Sequence, residues 1–173
     1  MLLKFRSSHA AIFAGCTLLL LTAIFVEPFA SMDPCPMCMM QRAVFIALGI
    51  ISLLAALHGP GPIGQCIYSG MTAATAVLGA AIAGRQIWLQ NLPEDQVPAC
   101  GPGLEYMLDV FPLLEVIEMA ITGTGDCAKV QWTLFNISIP GWSLMAFIAI
   151  ALLAIALFVF SLRTRKNVSS IET

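Results

Sequence analysis

Long apolar runs separated by short polar punctuation set the pattern of this chain. Ser7 to Val26 is a stretch of twenty residues without a formal charge, bounded by Arg6 and Glu27. At 1.5 Å per residue such a helix is about 30 Å long, the thickness of a bilayer's hydrocarbon core. No formal charge occurs from Ala43 to Gly84, but His58-Gly59-Pro60-Gly61-Pro62-Ile63-Gly64 interrupts that run with residues that cannot continue a helix. Two helices joined by a tight turn follow. A last apolar run, Trp142 to Leu162, is closed by Arg163, Arg165 and Lys166. The pattern predicts an all-α membrane protein, a four-helix transmembrane bundle with spans at 9–26, 39–57, 65–89 and 142–162. Loops at 27–41 and 90–141 and a polar tail at 163–173 complete a single membrane domain. Gly79, Ala80, Ala83 and Gly84 recur in the third span at spacings that allow close helix packing. A secretory signal peptide is the rival reading of the first run, yet the run is longer than a signal's apolar core and Glu27-Pro28-Phe29 suits cleavage poorly.

Composition agrees: of 173 residues, 59% are hydrophobic and only 10% charged, and mean hydropathy is +0.90. Eight Lys and Arg against ten Asp and Glu leave no basic surface with which to neutralise nucleic-acid phosphates. Cations collect on cytoplasmic flanks. Lys4, Arg6, Arg163, Arg165 and Lys166 therefore place both termini in the cytoplasm, and nine of the ten acids, all but Glu172, on the far side. The longer outward loop has a rhythm of its own. Leu104, Met107, Leu108, Phe111, Leu114, Ile117 and Ile121 recur every three or four residues, with Glu105, Asp109, Glu115 and Glu118 between them. This predicts a short amphipathic helix lying on the membrane, bent at Pro112; a helix packed on a small extramembrane core is the alternative.

Four of the six cysteines fall in the outward loops, Cys35 and Cys38 in the first and Cys100 and Cys127 in the second. A Cys-x-x-Cys pair closes too small a loop to brace a fold, but it is well placed to be oxidised and reduced. Zinc would call for a second close pair or nearby His ligands; Cys100 and Cys127 are separated by 26 residues, and His9 and His58 lie at the opposite membrane face, so no metal is expected. Pro34 and Pro36 flank Cys35, and Cys38 stands near the start of the second span. Arg42 follows on the same helical face, one turn deeper. A helix N-terminus and a guanidinium both favour a thiolate at Cys38; an interfacial anchor is the plainer reading of Arg42. Arg85, one turn inside the outer end of the third span, is a further candidate, with a helix-end cap as its alternative. For Cys100 and Cys127 the alternatives are a bracing disulfide and an exchangeable one. The Pro-Ala-Cys-Gly-Pro-Gly setting of Cys100 favours exchange. Cys16 and Cys66, within spans, read as packing residues.

Taken together, Pro-Cys-Pro-Met-Cys-Met-Met-Gln-Arg at 34–42, the isolated Cys100, Gly-Asp-Cys-Ala-Lys-Val-Gln-Trp at 125–132 and Ile-Pro-Gly-Trp at 139–142 resemble the disulfide bond formation protein B family. The likeness covers nearly the whole chain. It implies a multi-pass enzyme of the Gram-negative bacterial inner membrane, a protein-thiol:quinone oxidoreductase that re-oxidises a DsbA-like periplasmic thiol oxidase and so sustains protein disulfide formation. Cys100 would form the mixed disulfide with that partner and Cys127 would resolve it. Electrons would pass to Cys35 and Cys38 by way of a Cys35–Cys127 bridge. Cys38 would face the quinone, ubiquinone or menaquinone, with Arg42 stabilising the charge that develops, and with Met39, Phe45, Trp88 and Trp142 as candidates for an apolar pocket. Some relatives carry a histidine near Asn91; its role does not carry over, and Arg85 is the candidate substitute. A vitamin K epoxide reductase-like enzyme would place its quinone-facing pair late in the chain, against the order seen here. A membrane scaffold with bracing cysteines would turn over no quinone.

Overall fold

The structure, a computed structural model, describes residues 2–30, 34–99, 101, 104–130 and 132–169. Four long helices carry the architecture: α1 (Leu2–Ala30), α2 (Pro36–His58), α3 (Pro62–Gln90) and α7 (Ile139–Ser169). All four are long and apolar enough to cross a membrane. Each outruns the span read from hydropathy by several residues, because helical hydrogen bonding continues past the last apolar side chain until a residue breaks it. Local chemistry sets those breaks. Cys35, extended at φ −71° and ψ 161°, is the N-cap of α2, and Pro36 occupies the first helical position, where no N–H is needed. At the far end Gly59 adopts the left-handed conformation, φ 54°, and its N–H closes on the Ala55 carbonyl at 3.4 Å. Gly61 and Pro62 then start α3 in the same way.

Helix α1 packs on α2, α2 on α3, and α3 along α7. All four contribute to one core of Ile12, Cys16, Leu48, Ala76, Phe147 and their neighbours. Phe45 of α2 stacks on Phe147 of α7 with ring centroids 4.1 Å apart. Gly79 makes the room for this stack, since a Cβ there would lie 2.5 Å from the Phe147 ring. Ala83 is likewise fully buried, whereas Gly84 faces open space and takes no part in the packing expected of it. Large apolar side chains on the outer faces, Leu18, Ile50, Leu57, Ile67 and Leu152 among them, stay exposed, which in a bilayer is contact with lipid.

Between α3 and α7 the long loop folds over one end of the bundle. A short 3₁₀ turn at Glu94–Gln96 leads to α4 (Leu104–Val110), α5 (Leu113–Thr122) and the single turn α6 (Gly125–Ala128). The break between α4 and α5 falls at Phe111-Pro112, where proline cannot donate to a continuing helix. A two-residue hairpin follows, β1 (Thr133–Leu134) against β2 (Ile137–Ser138), turning through Phe135 and Asn136 at positive φ. Val116 and Ala120 of α5 are buried, while Leu113, Leu114, Ile117 and Ile121 remain exposed on its other side.

Candidate functional site

A second, smaller core sits where the loops meet the bundle, built from Cys35, Met37, Leu89 and Cys127 with Cys38 packed against it. Two elements deliver its cysteines. Cys35 caps α2, Cys38 lies in that helix's first turn, and Cys127 comes from α6, ninety residues away in sequence. The fold joins them through Gly123. Its φ of +87° suits glycine alone, and a Cβ there would overlap the Leu89 side chain of α3. Only a bare backbone lets α6 come down onto α3, and Cys127 with it.

Cys35 Sγ lies 3.1 Å from Cys38 Sγ, and its thiol also hydrogen-bonds to Cys127. Cys35 and Cys127 are almost fully buried; Cys38 is half-buried. All three are free thiols. The Cys35–Cys127 contact divides their protons. Cys127 is held down to about 6, first because the Cys35 thiol donates to it; burial opposes the shift, while the Met37 and Thr124 N–H groups and the Thr124 hydroxyl reinforce it. The Met37 amide is one of the unpaired N–H groups at the start of α2, so this helix end stabilises a sulfur from another loop as well as its own. Cys35 is pushed up, by its hydrogen bonds to Cys127 and then Cys38, with burial adding to both. At neutral pH Cys127 is the anion and Cys35 the thiol that faces it.

A residue the sequence did not single out completes the cluster. Gln86 of α3 is 2% exposed and points its carboxamide at the pair, with Nε2 3.3 Å from Cys35 Sγ and 3.2 Å from Cys38 Sγ. Its Oε1 accepts from Gln41 Nε2 at 2.7 Å. No signal in the linear chain links Gln86 to Cys35, because they lie 51 positions apart and a glutamine in a span has no motif.

The remaining candidates are distributed around the cluster. Arg42 is half-buried on the next turn of α2, its Nη1 3.8 Å from Met39 Sδ. Arg85 turns away from the sulfurs. Its guanidinium lies 4.2 Å from the Trp88 ring centroid and donates to the Thr122 carbonyl at 3.2 Å, tying α3 to the C-terminus of α5. Asn91 caps α3, donating to the Ile87 carbonyl at 2.8 Å. Of the apolar candidates, Phe45 belongs to the bundle core and Trp142 donates to the Leu134 carbonyl at 3.3 Å. Cys100 lies outside the described residues. On either side of it, Ala99 accepts from the Gly125 N–H at 3.1 Å, and Gly101 abuts Thr124. Among the described residues no cluster of His, Cys, Asp and Glu could hold a metal ion.

Cys35 and Cys38 open onto a crevice that Gln90, Trp132, Ile139 and Pro140 also line. The crevice is narrow and open on one side, with an accessible volume of about 30 Å³.

Four apolar spanning helices that gather thiols from two loops into one buried cluster at their end define a membrane oxidoreductase of the disulfide-forming class. The chain belongs to the DsbB family, disulfide bond formation protein DsbB, whose profile matches residues 5–157. It is 43% identical over 152 residues to disulfide bond formation protein B of Saccharophagus degradans, covering 88% of this chain and 92% of that one. The protein of the same name from Hahella chejuensis is 54% identical over 126 residues, 73% of this chain and 76% of its own. Disulfide bond formation protein B 1 of Pseudomonas aeruginosa is 46% identical over 137 residues, 79% and 84% of the two chains. No solved structure matches the chain.

Proposed function

We propose that the chain re-oxidises a DsbA-like periplasmic dithiol protein and passes the electrons through its two cysteine pairs to ubiquinone or menaquinone in a Gram-negative inner membrane, with both termini cytoplasmic. One observation carries the reading: Cys35 is in contact with Cys38 on one side and Cys127 on the other, so both loops' sulfurs lie on one exchange path.

The path balances. In the oxidised chain a Cys100–Cys127 disulfide stands beside a Cys35–Cys38 disulfide. A thiolate of the reduced partner attacks Cys100, and the Cys100–Cys127 bond breaks with its electron pair on Cys127. The Cys127 thiolate, still faced by the Met37 and Thr124 N–H groups, attacks Cys35, expelling Cys38. The partner's second thiol then releases Cys100, which attacks Cys127 to restore the first disulfide and leaves Cys35 reduced. The partner has lost two electrons and two protons, and Cys35 and Cys38 have gained them. The quinone, when bound, supplies a sink for those two electrons and two protons, which a strongly oxidising DsbA-type partner requires.

The residues suit such an acceptor. Cys38 is the least buried of the three sulfurs, and its crevice is walled by Trp132, Ile139 and Pro140. The crevice is too small to enclose a ring, so it fits an acceptor that presents one edge and keeps its bulk in lipid. Arg42, a turn along α2 from Cys38, would supply the cation for the charge that develops on the acceptor.

Purified in detergent, the chain should reduce a short-chain ubiquinone with a reduced DsbA-type protein as donor, and Cys38→Ser should abolish that turnover. Undiminished turnover in the variant would reject the route.

A further inference from the structure

We propose that Gln86 is the positioning residue of the Cys35–Cys38 pair, its carboxamide oriented by Gln41 so that a neutral N–H donor faces both sulfurs. The inference rests on the reading that this pair handles the outgoing electrons, and it concerns how the pair is held rather than what accepts them.

Two glutamines are costly guests in an apolar bundle. A buried amide without partners costs several kcal/mol, and Gln86 and Gln41 are 2% and 4% exposed. They satisfy each other only in part. The 2.7 Å bond from Gln41 Nε2 occupies Gln86 Oε1 and so decides which way the Gln86 amide faces. With its oxygen engaged, Gln86 turns its NH₂ to the sulfurs, at 3.3 Å from Cys35 and 3.2 Å from Cys38. An amide that served packing alone would not need both protons aimed at cysteines.

Neutrality is the useful property. During turnover the pair alternates between a disulfide, which carries no charge, and a state with an anionic sulfur. A permanent cation buried at this point would be unpaired in the disulfide state, whereas an amide donor suits both states. Gln86 Oε1 also lies 3.8 Å from Cys38 Sγ, within reach as acceptor when Cys38 carries its proton. The same side chain spans the two sulfurs from a different helix, α3, and so keeps them within the 3.1 Å from which a disulfide can close.

The test uses the full chain, reduced, in detergent, with iodoacetamide as probe and alkylation at each cysteine resolved by peptide mass. Gln86→Leu removes the donor, and Gln86→Met removes it while keeping the side chain's length. Each should slow alkylation of Cys38 at pH 7 about tenfold, as expected for losing a hydrogen bond to a charged group. Gln41→Leu should slow it less, and Gln41→Leu combined with Gln86→Leu no more than Gln86→Leu alone, because Gln41 acts only through Gln86. Buried Cys16 should stay protected throughout, which reports that the bundle is intact. Gln86→Met keeps the test decisive should Gln86→Leu lose its fold. Unchanged Cys38 reactivity in the folded variants, or additive slowing in the double variant, overturns the proposal. None of these readings needs a quinone, so failure of the chain to reduce one would count against the proposed activity and leave this result standing.

Discussion

Cys127 shows how a side chain's chemistry is made by its neighbours. Alone, a thiol titrates near 8.5; here the Cys35 thiol, the Met37 amide and Thr124 converge on it and bring it to about 6. Below 6 the thiol is protonated and inert, and the thiolate population rises through 6 and saturates above 7. The thiolate absorbance that Cys127→Ser removes should therefore climb between pH 5 and 7 in the reduced chain and level off above that. Cys35→Ala, which removes the strongest donor, should move that midpoint upward. A midpoint near 8.5 in the unaltered chain would refute the assignment. Arg42 makes a separate residue-scale prediction. If its cation meets the acceptor, Arg42→Ala should raise the KM for quinone about tenfold, with the KM for the protein donor unchanged, an effect of the size a charge-assisted contact provides. An unaltered quinone KM would reduce Arg42 to an anchor.

At the scale of elements, the decisive feature is that α6 is only one turn long and owes its position to what holds its ends. Gly125 is tied to Ala99, and Gly123 lets the chain descend onto Leu89. Gly123→Ala demands a left-handed alanine and a Cβ inside the Leu89 side chain, so α6 must lift and carry Cys127 away from Cys35. In a chain carrying Cys38→Ala, mild oxidation should trap a Cys35–Cys127 disulfide, and adding Gly123→Ala should lower its yield severalfold. Equal yields would show that α6 needs no such approach. The amphipathic segment was also only partly legible. Its spacing pointed to one apolar face along 104–121, but α5 turns Val116 and Ala120 to the protein and leaves Leu114, Ile117 and Ile121 exposed. Periodicity reports that a helix has an apolar side; it cannot say which of two apolar strips meets protein.

For the whole molecule, the α3–α7 interface gives paired predictions from one kind of substitution. Gly79→Ala puts a methyl against Phe147, whose ring is already stacked on Phe45 and has nowhere to go. Overpacking of this kind costs roughly 1–3 kcal/mol, enough to outweigh the gain of about 1 kcal/mol from replacing glycine in a helix. Gly84→Ala meets open space and should keep that gain. Thermal unfolding in detergent should therefore move down for the first and up for the second; a shift of the same sign in both would contradict this packing. In the linear chain the two glycines look alike, five residues apart in one span, and only the rotation of α3 separates them.

Some properties of this protein are local and could be read directly from its residues. Run lengths dictate four spans because a backbone in lipid must satisfy its own hydrogen bonds, and Cys-x-x-Cys next to a helix start dictates a redox-competent pair because spacing and helix end lie within one turn. Glycine and proline between Leu57 and Gln65 likewise had to break the chain there. Other properties depend on how helices far apart in sequence are rotated and stacked. That Cys35 meets Cys127, that Gln86 rather than Arg85 faces the sulfurs, and that Arg85 instead holds the end of α5 all follow from side-chain packing across 37 to 92 residues of chain. A contact at that range is the joint outcome of every turn, cap and close approach between its partners, so no stretch of sequence contains it and only the assembled bundle decides it.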